Sequence, residues 1–268
     1  MLPVFVSLRF HSWFAFSTDR NNPMGQFRQL VKRSIETALP EQAMLSRGRR
    51  LRSNAGADRP SRCAISLTFD DGPHPEFTPQ LLDNLATADI KGTFFIVGEK
   101  VEQHPDIVKR IADEGHEIGN HTWTHSEPRQ TSTRKFRDEV ARTNELIFEL
   151  TGQDCRLMRP PKGELSPGKI LTLLKLRQTI VLWNQDSRDY RMESWSDMET
   201  WCQHFIPEHG DIVLMHDNHR FAVTAAALAG SLPNLSGVKF CRISDWLRDA
   251  RRNNSKNLTS GRQSSCSG

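Results

Sequence analysis

Residues 64–73 read Ala-Ile-Ser-Leu-Thr-Phe-Asp-Asp-Gly-Pro. A short apolar run, residues 64–69, meets two carboxylates and a Gly-Pro turn signal, so the stretch predicts a strand that breaks just after them. Adjacent strand residues point to opposite faces, yet a strand that breaks into a turn can aim Asp70 and Asp71 into one cleft. Two carboxylates held there can divide labour, one binding a cation and the other staying free to move a proton. Taken alone, Asp-Asp-Gly-Pro is also an ordinary turn whose aspartate accepts local backbone bonds.

About fifty residues downstream, His121-Thr-Trp-Thr-His125 sets two imidazoles at i and i+4. On one helical turn that spacing puts both on the same side, as a tetrahedral metal requires of two ligands. The plainer reading is a solvated or helix-capping pair. Polar residues follow further strand-like runs in the same manner: Arg159-Pro-Pro-Lys-Gly163 after 156–159, Asp186-Ser-Arg-Asp189-Tyr190 after 179–183, and His216-Asp217 after 211–215. β/α barrels place their reactive groups at the C-terminal ends of successive parallel strands. With 93–97 and 238–241, six strand-like runs are expected, separated by amphipathic helices at 79–88, 105–114 and 132–150. In the last, Phe136, Val140, Leu146, Ile147 and Leu150 read as a core face. The alternation predicts an α/β fold with a parallel sheet.

The ordered motifs Thr-Phe-Asp-Asp-Gly-Pro, His-Thr-Trp-Thr-His, Arg-Pro-Pro-Lys-Gly, Asp-Ser-Arg-Asp-Tyr and Val-Leu-Met-His-Asp resemble those of the polysaccharide deacetylase family (carbohydrate esterase family four, the NodB homology domain). The similarity runs from Cys63 to Leu247. It implies a distorted, incomplete (β/α) barrel and a metal-dependent hydrolase that removes N-acetyl groups from N-acetylglucosamine-containing glycans of the chitin-oligosaccharide or peptidoglycan type, releasing acetate. Alternatives are a deacylase of another small N-acyl or formamido compound, and a catalytically silent glycan-binding protein. The resemblance implies Asp71, His121 and His125 as ligands of a divalent metal, Zn²⁺ first, with Co²⁺ or Ni²⁺ also admitted. It implies Asp70 as the general base, Arg159 as its partner, His216 as the general acid and Asp189 as the carboxylate that tunes it. Pro160, Lys162, Tyr190 and Leu214 are implied to line the substrate site. Two positions depart from the commoner pattern: Lys162 stands where an aromatic is usual, and Tyr190 where Trp is usual. Both bear on substrate more than on chemistry, and Lys162 raises the expectation of a preference for anionic substrates.

The net charge of +4 is unevenly spread: residues 1–62 carry +7, residues 63–249 carry −7 and residues 250–268 carry +4. The organisation expected is therefore a basic N-terminal extension over 1–62 with one amphipathic helix at 27–39, a catalytic domain over 63–249, and a disordered tail over 250–268. No nucleic-acid-binding motif accompanies the basic ends, so nucleic acid is excluded as partner. The basic arm reads equally as a solvated linker or as a contact to an anionic membrane surface. The first seventeen residues are apolar but interrupted by Arg9 and His11, which fits neither a clean signal peptide nor a membrane span. Five scattered cysteines with no CxxC pair argue against a disulfide framework and against a thiolate-bound zinc. Together these favour the cytoplasm.

Overall fold

The structure is a computed structural model that describes residues 44–45, 63–223 and 237–248. The extension helix at 27–39, the apolar start, most of the basic arm and the tail beyond residue 248 lie outside the described residues.

Among the described residues nine strands form one sheet: β1 (Met44–Leu45), β2 (Ala64–Asp70), β3 (Thr93–Ile96), β4 (Glu117–Asn120), β5 (Leu157–Met158), β6 (Thr179–Val181), β7 (Gln185–Asp186), β8 (Asp211–His216) and β9 (Lys239–Phe240). Every pairing is parallel, in the order β1-β6-β5-β4-β3-β2-β8-β7. β9 pairs with the first residues of β2, while β3 pairs with its last three. Helices α1 (Phe77–Thr87), α2 (Gly98–Gln103), α3 (Pro105–Asp113), α4 (Thr133–Thr151), α5 (Pro167–Lys175) and α6 (Trp195–His204) alternate with the strands.

β2 is buried along its whole length, as a central strand of a parallel sheet must be. Its odd residues Ile65, Leu67 and Phe69 pack in the layer shared with Leu81, Leu82 and Leu85 of α1. The even residues face the other way. Ser66 Oγ donates to Cys241 O at 2.6 Å and Thr68 Oγ1 donates to Val213 O at 2.6 Å, so each buried hydroxyl has a backbone partner. Ala64, Phe95, Val181 and Ile212 fill the space around them.

The sheet is curled, and the chain itself shows why. β6 lies near one end of the strand order and β7 at the other, yet only residues 182–184 join them. Four residue steps of extended chain reach about 14 Å at most, so the two sheet ends must approach each other. Leu182 N–H donates to Leu45 O at 2.8 Å on one end and Asn184 N–H to Ile212 O at 3.3 Å on the other. The result is an open parallel half-barrel, with the C-terminal strand ends gathered at one mouth.

The expected strands and the three expected helices are present, with ends shifted by up to two residues. β1, β4, β7 and helices α2, α5 and α6 are not among the expected elements. β4 reads Glu-Ile-Gly-Asn, with one large apolar residue, because Gly119 faces a ring: a Cβ there would lie 2.4 Å from Phe95 Cδ1. Among the described residues no helix is long and apolar enough to cross a membrane.

Candidate active site and metal centre

Apart from Leu214, which lies within β8, the candidate residues stand at or past the C-terminal ends of strands. Asp70 closes β2 and is 3% exposed. Arg159 follows β5 and is fully buried. Its Nη1 donates to Asp70 Oδ1 and to Thr68 Oγ1, both at 2.7 Å. Nε and Nη2 donate to the Val181 and Leu182 carbonyls at 3.3 Å, and the guanidinium lies 4.2 Å from the Phe95 ring centre. Burial presses the Arg159 pKa down and Asp70 opposes it. A guanidinium keeps its charge regardless.

Asp71 turns the chain with φ 72°, a left-handed conformation that disfavours a non-glycine residue by about 1–2 kcal/mol. Neighbours hold it there: Lys100 Nζ donates to Asp71 O at 2.6 Å and Val97 N–H to Gly72 O at 2.8 Å. Beneath the turn lies Asp217, whose N–H donates to Asp70 O at 3.1 Å and whose Oδ2 accepts from Thr78 Oγ1 at 2.8 Å. A Cβ at Gly72 would sit 1.9 Å from Asp217 Oδ2, so only glycine fits. Burial pushes the Asp217 carboxyl up to about 7. Asp217 stood inside a quoted motif, but nothing in its spacing showed that it underlies this turn.

His121 and His125 lie on a loop after β4, not on one helical turn. The helical reading fails because Thr122 (φ 69°) and His125 (φ 51°) are both left-handed. Gly98 N–H and Glu99 N–H, at the start of α2, donate to Thr122 O and Trp123 O at 3.0 Å, and His125 N–H donates to Thr122 Oγ1 at 3.2 Å. The loop brings both rings to Asp71 by a different route from the one expected. His121 Nε2 and His125 Nε2 each stand 3.3 Å from Asp71 Oδ1.

The three donor atoms lie within 4.8 Å of one another. His121 Nδ1 is 2.7 Å from Arg159 O, and because a carbonyl only accepts, that nitrogen carries the proton and Nε2 offers a lone pair. Neither imidazole approach to Asp71 has hydrogen-bond geometry, so Oδ1 is a buried oxygen without a hydrogen-bond donor. Burial raises the Asp71 pKa, but contact with His121 and the charges of His121, His125 and His216 more than offset it and hold the carboxyl well below its usual range. Burial and the His121 charge press His125 down, favouring the neutral ring. Burial also presses His121 down, but Asp70 and Asp71 outweigh it and raise that ring. A carboxylate and two imidazoles converging on one point suit a divalent ion of the zinc class, with positions left open. The residues fit the group.

His216 ends β8. Asp189, fully buried in a 3₁₀ turn over Asp189–Arg191, accepts from His216 N–H at 2.6 Å and contacts His216 Nδ1 at 2.7 Å. Burial lowers the His216 pKa, but the Asp189 bond and charge, with Asp70 and Asp71 beyond, raise it to about 9. Tyr190 sets its ring edge-on to His216 with centroids 5.3 Å apart, and is 48% exposed. Leu214 is buried two residues before His216, on the same strand face. Pro160 is buried at the entry to the Pro161–Gly163 turn. Lys162, φ 55°, is exposed, and its Nζ meets Glu127 Oε2 at 2.5 Å, so it does not present a bare cation.

The molecule is thus a parallel α/β half-barrel with three donors that could hold a metal ion and two ion pairs gathered at one mouth. A polysaccharide deacetylase family model matches residues 57–180. A peptidoglycan-N-acetylglucosamine deacetylase of Bacillus cereus is 38% identical over 192 residues, 69% of this chain and 88% of that protein. A second of the same name and organism is 40% identical over 131 residues, 49% of this chain, and the match spans about half (48%) of its length. The structure of peptidoglycan deacetylase PdaC from Bacillus subtilis superposes with a TM-score of 0.67 at 26% identity, over 76% of this chain and 99% of that one. The chain belongs to the polysaccharide deacetylase family.

Proposed function

We propose that the protein is a metal-dependent hydrolase that removes N-acetyl groups from N-acetylglucosamine-containing glycans of the peptidoglycan type. One observation carries the reading: the two adjacent aspartates have different nearest partners, Asp71 at 3.3 Å from His121 and His125, and Asp70 at 2.7 Å from Arg159 with His121 farther off at 3.8 Å. The similarity to peptidoglycan deacetylases supports the glycan as substrate.

Asp71, His121 and His125 would hold the ion, Zn²⁺ by the chemistry of the donor set, with Co²⁺ or Ni²⁺ as substitutes. When bound, such an ion polarises an amide carbonyl and acidifies water. Asp70 takes the proton of the attacking water on Oδ2, since Oδ1 is committed to Arg159. Arg159 keeps that carboxylate charged and aimed. His216 gives a proton from Nε2 to the departing nitrogen, its Nδ1 being held by Asp189. Water adds to the carbonyl carbon, the C–N bond breaks, and acetate and a protonatable amine leave. Tyr190 and Leu214 would shape the space for the acetyl methyl, beside Pro160.

Acetate release from acetylated chitooligosaccharides, peptidoglycan and small amides tests this. Activity should vanish on exhaustive chelation and return with Zn²⁺ or Co²⁺. Full activity in metal-free protein would end the proposal, and glycan binding without turnover by metal-loaded protein would point to a silent binder.

A further inference from the structure

α4 turns a buried stripe inward, and Glu139 lies in it between Phe136 and Val140. A carboxylate only 7% exposed is costly to bury unless its oxygens are bonded. No step above uses it. Its hydrogen bonds all run to one loop: Oε2 accepts from Thr124 N–H at 3.3 Å, and Oε1 accepts from Thr124 Oγ1 at 3.0 Å and Ser126 Oγ at 3.3 Å, while Lys135 Nζ, one turn earlier on the helix, stands 3.6 Å from Oε1. These donors flank His125 on both sides. His125 holds a left-handed backbone that is disfavoured unless its surroundings impose it.

The same loop is gripped further along. Lys169 of α5, 1% exposed, donates to Pro128 O at 2.7 Å, and Arg129 meets Glu164 at 3.1 Å. Glu139, Glu164 and Lys169 share a cavity of about 10 Å³ under the loop, room for about one water. His121 needs none of this. It is tied to the sheet by its N–H on Ile96 O at 2.9 Å and its Nδ1 on Arg159 O at 2.7 Å.

We propose that Glu139 is the positioning residue for His125: through Thr124 and Ser126 it holds the left-handed turn that aims His125 Nε2 at Asp71. The proposal rests on Asp71, His121 and His125 being the metal centre. Its consequence is asymmetric, because Glu139 serves one histidine and not the other.

The experiment measures Zn²⁺ affinity by chelator competition on the full chain, with Co²⁺ absorption as a second readout of ligand number. Glu139→Ala should weaken Zn²⁺ binding by about 10–100-fold, the usual scale for losing a group that orients a ligand. In a His125→Ala background the same change should add nothing, whereas in a His121→Ala background it should add its full effect. Wild-type affinity in folded Glu139→Ala, or an equal loss in both backgrounds, overturns the proposal. Should Glu139→Ala not fold, Thr124→Val with Ser126→Ala removes two of the three bonds from the loop side. Unchanged affinity there overturns the proposal too. Asp71→Ala separates the two ideas, since wild-type metal affinity in that variant would sink the metal centre itself.

Discussion

Asp70 and Asp189 each hold a nitrogen cation at 2.7 Å, but the cations differ in kind. Arg159 is buried, its guanidinium fixed by four acceptors and unable to release a proton. That pair is permanent, and only the second oxygen of Asp70 is left for chemistry. His216 is an imidazole whose side chain keeps 16% exposure, and its raised pKa still lies within reach of solution pH. That pair stores a proton that can leave. Similar distances and similar carboxylates give a base on one side and an acid on the other, because the partner cation decides which group can exchange a proton.

The largest effect should come from the oxygen left free. Asp70→Asn should lower kcat/KM by about 10²–10⁴-fold while the protein keeps its metal. Asp71→Ala should do the reverse, losing metal and regaining some activity at high metal concentration. Metal analysis and acetate release on both variants would break the comparison if Asp70→Asn lost the ion and Asp71→Ala kept it.

Arg159→Met should destabilise the fold by about 3–5 kcal/mol, because it strands a buried carboxylate. Chemical denaturation reads this, and a change under about 1 kcal/mol would show that the pair is not structural. Asp70→Asn in the Arg159→Met background should restore part of the loss.

Asp189→Asn acts on the other pair and should move a pH limb rather than unfold the protein. Burial then dominates, so the His216 pKa falls from about 9 and the basic limb of kcat/KM shifts to lower pH. The sign for stability follows from the folded value lying above the ordinary 6.5. The charged pair contributes fully below about pH 6.5 and is lost as pH rises through 9. A titration of His216 by NMR that is the same in wild type and Asp189→Asn would remove this account.

The smallest effect should be at Lys162. Its charge is already engaged by Glu127 on the surface, so Lys162→Tyr should alter the ratio of activity on anionic and neutral glycans by no more than about twofold. A tenfold swing toward neutral substrates would restore the expectation drawn from sequence.

Much of the site could be read without coordinates, because each motif follows a strand and strand ends share one mouth in a parallel barrel. Asp70 and Asp71 were legible for that reason. So was the pairing of His216 with Asp189, through the family motif order. The loop of His121 and His125 was not, since i, i+4 spacing is also satisfied by two left-handed residues held by α2. β4 was hidden because Gly119 yields its side-chain space to Phe95.

The sequence by itself determined the alternation of strand and helix, the order of the chemical groups and the turn after Asp70, all local matters of periodicity and turn chemistry. Tertiary structure alone decided which groups meet. It put Asp217 under Gly72, Glu139 against Thr124 beside His125 and Glu127 against Lys162, contacts that span 145, 15 and 35 positions of chain. Such pairs carry no local signature, because a carboxylate buried on a helix face looks like any exposed one until the fold supplies its donors.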